Sequence, residues 1–214
     1  MSTMTAVAPV RRTTDDTVVR WLPLAGAVFG ILQIAGNLVI DKFPDENTSP
    51  GDLVRYYADH HSQVQRGGTI LALSGVFLGL FVAGLVVRCR HHFGATAVIA
   101  VGGAAMLAAE VASGSTYALL GAVGAEKGID PAALQAWHIA GAEFGIGVAT
   151  SVLLLGVALA GIVADAVPGW IGWTALVLAI GILVPPVGFF ASMLTLLWAV
   201  AAGVALAVRR PTTD

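Results

Sequence analysis

Two glutamates, Glu110 and Glu143, stand inside stretches that are otherwise apolar. A carboxylate in hydrocarbon costs at least about 2.5 to 3.5 kcal/mol near the centre of a membrane helix, so such a residue marks a functional site by default. A few other polar side chains fall near them in depth. Gln33 and Asn37 lie one helical turn apart, Ser113 and Tyr117 continue the stripe of Glu110, and His138 precedes Glu143 on the same segment. A carboxylic acid paired with a second carboxylate or an imidazole can act as general acid and base. The same groups can also line a binding pocket, or do no more than tie helices together.

Depth and side-chain direction separate the two acids. At 1.5 Å of rise per residue, Glu143 is placed roughly 6 Å nearer the outer surface than Glu110. Side chains lean toward their helix N-terminus, which turns Glu110 inward and Glu143 outward. The expectation is two rungs of one outward-opening cleft, with Glu110 at its floor and Glu143 at its mouth. No lysine or arginine falls within any predicted span. A positive charge opposite Glu110 would therefore come from His138, from an outer helix or from a ligand.

The elements that must hold these residues are membrane helices. The chain is 57% hydrophobic and 11% charged, with a mean hydropathy of +0.85. That is too little charge to cover a soluble surface. Six apolar blocks are expected to form an all-α bundle of six spans, at about 21–40, 69–87, 96–121, 131–164, 170–184 and 188–208. Residues 1–17 and 211–214 are polar tails around a single domain, 18–210. Asp130-Pro131 starts the fourth block, and Pro185-Pro186 divides the fifth from the sixth.

Basic residues set the orientation. Arg11, Arg12 and Arg20 precede the first span, Arg88, Arg90, His91 and His92 follow the second, and Arg209 and Arg210 follow the sixth. The alternation predicts that both termini are cytoplasmic. Trp21, Trp137, Trp170 and Trp173 fall at predicted interfaces, as an aromatic belt requires. Between the first two spans, Ser49-Pro50-Gly51-Asp52 is a helix-start signal. It predicts a short amphipathic helix over 50–66, with Leu53, Tyr57, His60 and Val64 on one stripe and Gly67-Gly68 as its stop. Tyr57 and His60 of that helix are placed as a lid over the cleft.

Other signals are weaker than they look. His60 and His61 are adjacent and so diverge on a helix, unlike the i, i+4 pairs that hold metals. Cys89-Arg90-His91-His92 fits a basic cytoplasmic turn better than a metal site. Three GxxxG spacings, Gly26–Gly30, Gly75–Gly79 and Gly141–Gly145, permit close helix contact without specifying a dimer. The sequence contains no phosphate-binding loop, hydrolase elbow or zinc-protease signature, and no basic run or RNA-binding pattern that would bind nucleic acid. No cofactor is called for. The one cysteine rules out an intramolecular disulfide.

Pro50, Leu53, Tyr56, Tyr57 and His60, followed far downstream by Pro168, Gly169, Trp170, Gly172 and Trp173, form an arrangement that resembles a group of bacterial six-helix integral membrane proteins of the domain-of-unknown-function type. The resemblance implies a multi-pass protein of the bacterial cytoplasmic membrane and carries no site residues with it. Three functional classes follow from the residues. The first is handling of a small or amphiphilic ligand in an outward-facing cleft. The second is a membrane-embedded enzyme acting on a lipid or isoprenoid, with Glu110 as general acid. The third is an accessory subunit whose glutamates pair with a partner's helices.

Overall fold

The computed structural model describes residues 19–40, 42–45, 47–124, 129–143 and 146–209, with residues 141–143 described by backbone alone. Every regular element among them is an α-helix. These are α1 (Leu24–Ile40), α2 (Pro50–Arg88), α3 (Phe93–Val123), α4 (Pro131–Glu143), α5 (Ile146–Ile162), α6 (Gly169–Leu183) and α7 (Pro185–Val208). Helices α2, α3 and α7 are long and apolar enough to cross a membrane, and α1, α5 and α6 are shorter apolar helices.

Six of the helices close a ring. Helix α1 packs on α2, α2 on α3, α3 on α5, α5 on α6, α6 on α7, and α7 returns to α1. Neighbours run antiparallel. Along α2 and α3, for example, Gly68 meets Ala118, Gly75 meets Val111 and Val82 meets Gly103. One end of the ring therefore gathers Ser49, the start of α2 and the end of α3. The other gathers Cys89, the start of α3 and the end of α7. Helix α4 lies outside the ring at the Ser49 end, against α2 and α3.

Glycines set how closely the seams approach. A Cβ on Gly68 would sit 2.3 Å from the backbone nitrogen of Ala118, and one on Gly114 2.3 Å from that of Ala72. Only a residue without a side chain allows α2 and α3 to touch backbone to backbone. This overturns the expected stop at Gly67-Gly68. The two glycines sit inside one 39-residue helix, and the predicted outer helix over 50–66 is the first part of α2 rather than a separate element. Each mid-helix glycine costs about 1 kcal/mol relative to alanine, and contact with α1 and α3 offsets that cost. The start signal behaves as expected. Ser49 caps the helix by accepting from the Asp52 amide at 3.2 Å, and Pro50 occupies the first turn.

The fourth block is described in two parts. Helices α4 and α5 stand on either side of residues 144 and 145, so the expectation of one continuous helix over 131–164 turns on residues outside the described ones. The Gly141–Gly145 pair lies outside the described side chains, whereas Gly26 packs on Phe81 of α2 and Gly30 on Leu196 of α7. Those contacts are within the chain. Pro185 opens α7 directly after the Val184 bend, so the Pro-Pro pair does start a new helix.

Two cores result. The larger fills the ring toward the Cys89 end and includes Phe29, Leu78, Phe81, Ile99, Leu154 and Leu206. The smaller, with Leu53, Tyr57, Val64, Tyr117, Leu120 and Leu134, joins the projecting part of α2 to α3 and α4. The outside of the ring is apolar on every side. Ile31, Val76, Val101, Val148, Val177 and Leu197, one from each ring helix, are all more than half exposed. So continuous an apolar girdle marks a surface that meets something other than water. Trp21, Trp170 and Trp173 rim it at the Cys89 end and Trp137 at the other, each about half exposed. Arg20, Arg88, Arg90 and Arg209 gather at the Cys89 end, where Arg88 donates to the Leu206 carbonyl at 2.8 Å.

Candidate functional site

Inside the ring, toward the Ser49 end, lies a cavity of about 730 Å³. Its polar lining includes Gln33 and Asn37 of α1, Glu110, Ser113 and Tyr117 of α3, and His138 of α4. All six were expected in the cleft. Helix α1 presents Gln33 and Asn37 because they are one turn apart, and the Asn37 amide is held in place by donating to the Gln33 carbonyl at 2.8 Å. Helix α3 presents the other stripe, with Gly114 bringing that segment close to α2.

Glu110 is the floor. It is 8% exposed, and its Oε2 accepts a short hydrogen bond from Gln33 Nε2. The same amide nitrogen donates to Ser74 Oγ at 3.0 Å, and Ser74 in turn donates to the Leu71 carbonyl at 2.6 Å. Both amide hydrogens of Gln33 are thereby committed to acceptors, which fixes the side-chain orientation. Three helices meet at this network. Among the described residues no lysine, arginine or histidine forms an ion pair with Glu110, and Arg55–Asp52 is the ion pair found, on the surface. The carboxyl group borders the cavity with Gln33 as its hydrogen-bond partner.

The roof is built from two segments. His138 is 3% exposed, and its Nδ1 lies 2.8 Å from the Tyr57 hydroxyl. Burial pushes the Tyr57 hydroxyl far above its ordinary pKa, with the neighbouring Tyr117 and Tyr56 adding to the shift. It therefore stays protonated at any physiological pH. Tyr117 stands edge-on to Phe43, from the 42–45 segment that also brings Pro44 and Asp45 to the cavity. The two residues of the predicted lid part company here. Tyr57 does hold the roof, but His60 is exposed, stacks on Tyr56 and bonds its own helix at the Tyr56 carbonyl. On this helix, positions 53, 57 and 64 face the core and position 60 falls off that stripe. Helix α4, which carries His138, is the covering element.

Glu143 closes α4, and its side chain lies outside the described residues, as do both polar tails. Sequence reasoning missed Ser74, whose only signal is a lone hydroxyl in an apolar span. It also did not bring Thr150, Ser192 and Thr195 into the cleft. They do bond their own helices, at 2.7, 2.9 and 2.9 Å, and they also line the cavity.

No protein-family model, curated protein or solved structure matches this chain. What the site does must therefore be argued from its geometry. Toward the Cys89 end the cavity gives way to a void of about 10 Å³ among Phe29, Leu78, Phe81, Met106, Leu154 and Trp198. That is at the lower limit for a single water. The site is a dead-end chamber with a polar floor.

Proposed function

We propose that the chain is a six-span integral membrane protein that receives a small or amphiphilic ligand in a chamber open toward the outer face, with both termini cytoplasmic. The observation that carries this reading is Glu110: a buried carboxyl group, held by Gln33, facing a 730 Å³ chamber inside the ring. Chambers of roughly 300–1,000 Å³ are the size that holds small organic ligands. A carboxyl group retained only as glue between helices would have its capacity filled by them, and space beside it would serve no purpose.

Six spans are supported by the closed ring, in which each of the three shorter helices packs against at least one of the long ones. The 17 residues of α1 and of α5 cover about 26 Å at 1.5 Å per residue, close to the hydrocarbon thickness of ~30 Å. The arginines gathered at the Cys89 end support a cytoplasmic location for that end. Because Glu110 faces the interior of the ring, the arrangement favours a pocket over an accessory subunit that offers its acids to a partner's helices.

The test is to purify the protein in its native lipid and identify what accompanies it by mass spectrometry, beside Glu110→Gln. A small molecule present with the wild type and lost in a variant of equal thermal stability supports the chamber as a binding site. Identical lipids with both, and a less stable variant, would make Glu110 structural.

A further inference from the structure

The chamber's charge and its side wall narrow the class of ligand. Its titratable lining consists of Glu110 at the floor, Asp45 at the rim, Tyr117, and His138 in the roof. No lysine or arginine is part of it among the described residues. Two carboxyl groups stand at different depths, and the one imidazole already shares its Nδ1 with the Tyr57 hydroxyl. An anionic head entering here would meet carboxylates at both levels and no fixed cation. A cationic head would meet an acceptor at each level and aromatic rings, Phe43 and Tyr117, between them.

The side wall supplies the second half. Phe189, Ser192, Met193 and Thr195 of α7 all border the chamber. Phe189 is 69% exposed and Met193 42% exposed, so neither is enclosed by the helices that line the chamber with them. Helices α5 and α7, which bring Ile146 and Phe189 to the chamber, are not ring neighbours and are joined through α6. At this depth, α7 therefore borders both the chamber and the apolar girdle. A flexible methionine and a phenylalanine suit an apolar chain of variable shape.

Resting on the reading of the chamber as a binding site, we infer that its ligand class is the cationic amphiphile: a protonated amine head seated against Glu110, with an apolar tail leaving past Phe189 and Met193 into the lipid. The head donates to the carboxyl oxygen that Gln33 leaves over. The tail remains in an apolar environment throughout, so nothing is lost by desolvating it.

Radiolabelled dodecylamine provides the probe, with the full-length protein in nanodiscs on scintillation-proximity beads and empty nanodiscs as the background. Dodecylamine should bind saturably, and unlabelled dodecylamine should compete about 10- to 100-fold better than dodecanol or dodecanoate, the weight of one charge-assisted hydrogen bond. Glu110→Gln, which preserves the shape and an acceptor for Gln33, should abolish that preference. Met193→Trp should weaken dodecylamine while leaving competition by butylamine unchanged. Equal competition by amine and alcohol, with binding retained, would overturn the cationic class and leave the chamber as a binding site. Competition led by dodecanoate would overturn it in the same way. Absence of any saturable binding would overturn the inference outright, and co-purification then decides separately whether the chamber binds something else. A preference for amine that survives Glu110→Gln would place the head elsewhere and also contradict the inference.

Discussion

The two halves of the ring use the same helices for opposite ends. Toward Cys89 the interior is filled with Phe29, Leu78, Phe81, Leu154 and Trp198, around a void of about 10 Å³. Toward Ser49 the same helices surround about 730 Å³ and line it with Gln33, Asn37, Glu110 and Ser113. The change occurs within single helices. On α3, Met106 borders both regions and Glu110 lies one turn further along. What distinguishes the halves is that the first is packed to completion and the second is held open by a hydrogen-bond network and a covering helix. One half is packed; the other is open.

Substitutions should divide along that line. The largest loss belongs to the packed half: Phe81→Ala removes a ring that lies on Gly26 and should cost about 3–5 kcal/mol of unfolding free energy, read from denaturant titration in mixed micelles. Next is the seam that both halves share. Gly68→Leu drives a side chain into the backbone at Ala118 and should cost about 1–3 kcal/mol or more, with the ring loosened along α2–α3. In the open half, Gln33→Leu leaves Glu110 without its described partner and should cost about 1–3 kcal/mol. The double variant Gln33→Leu with Glu110→Leu should recover most of that loss, because an apolar pair leaves nothing unsatisfied. Smallest is the roof. Tyr57→Phe should cost about 1 kcal/mol in stability while freeing His138 from its hydroxyl partner. If Gln33→Leu proved as costly as Phe81→Ala, the open half would be structural core and the contrast would fail.

The apolar helices were legible in the sequence because hydropathy and prolines report directly on them. Pro185 starts α7, and Ser49-Pro50 starts α2, as their chemistry requires. The polar residues of the cleft were legible for the same reason, since Gln33, Asn37 and Glu110 contradict their surroundings. Gly67-Gly68 was misread because a glycine pair is identical in sequence whether it ends a helix or admits a neighbour; only the position of Ala118 separates the two. His60 was misread because a stripe drawn at i, i+3 and i+4 is wider than the face that α3 and α4 cover. Ser74 was illegible, for its role depends on Gln33 reaching it from another helix.

One measurement addresses the contrast directly. Cys89 is the chain's single cysteine, fully buried, with a thiol that burial pushes up to about 11 against the opposing pull of Arg88. Replacing it with alanine gives a background free of thiols. Asn37→Cys then places a thiol in the open half and Leu154→Cys one in the packed half. A charged, membrane-impermeant methanethiosulfonate is added to intact cells and, separately, to inverted membrane vesicles. Rapid modification of Asn37→Cys in cells, with Leu154→Cys protected in both preparations, is the predicted result. Modification of Leu154→Cys as fast as Asn37→Cys, or of Asn37→Cys only in inverted vesicles, would contradict an outward-opening chamber closed by a dry half.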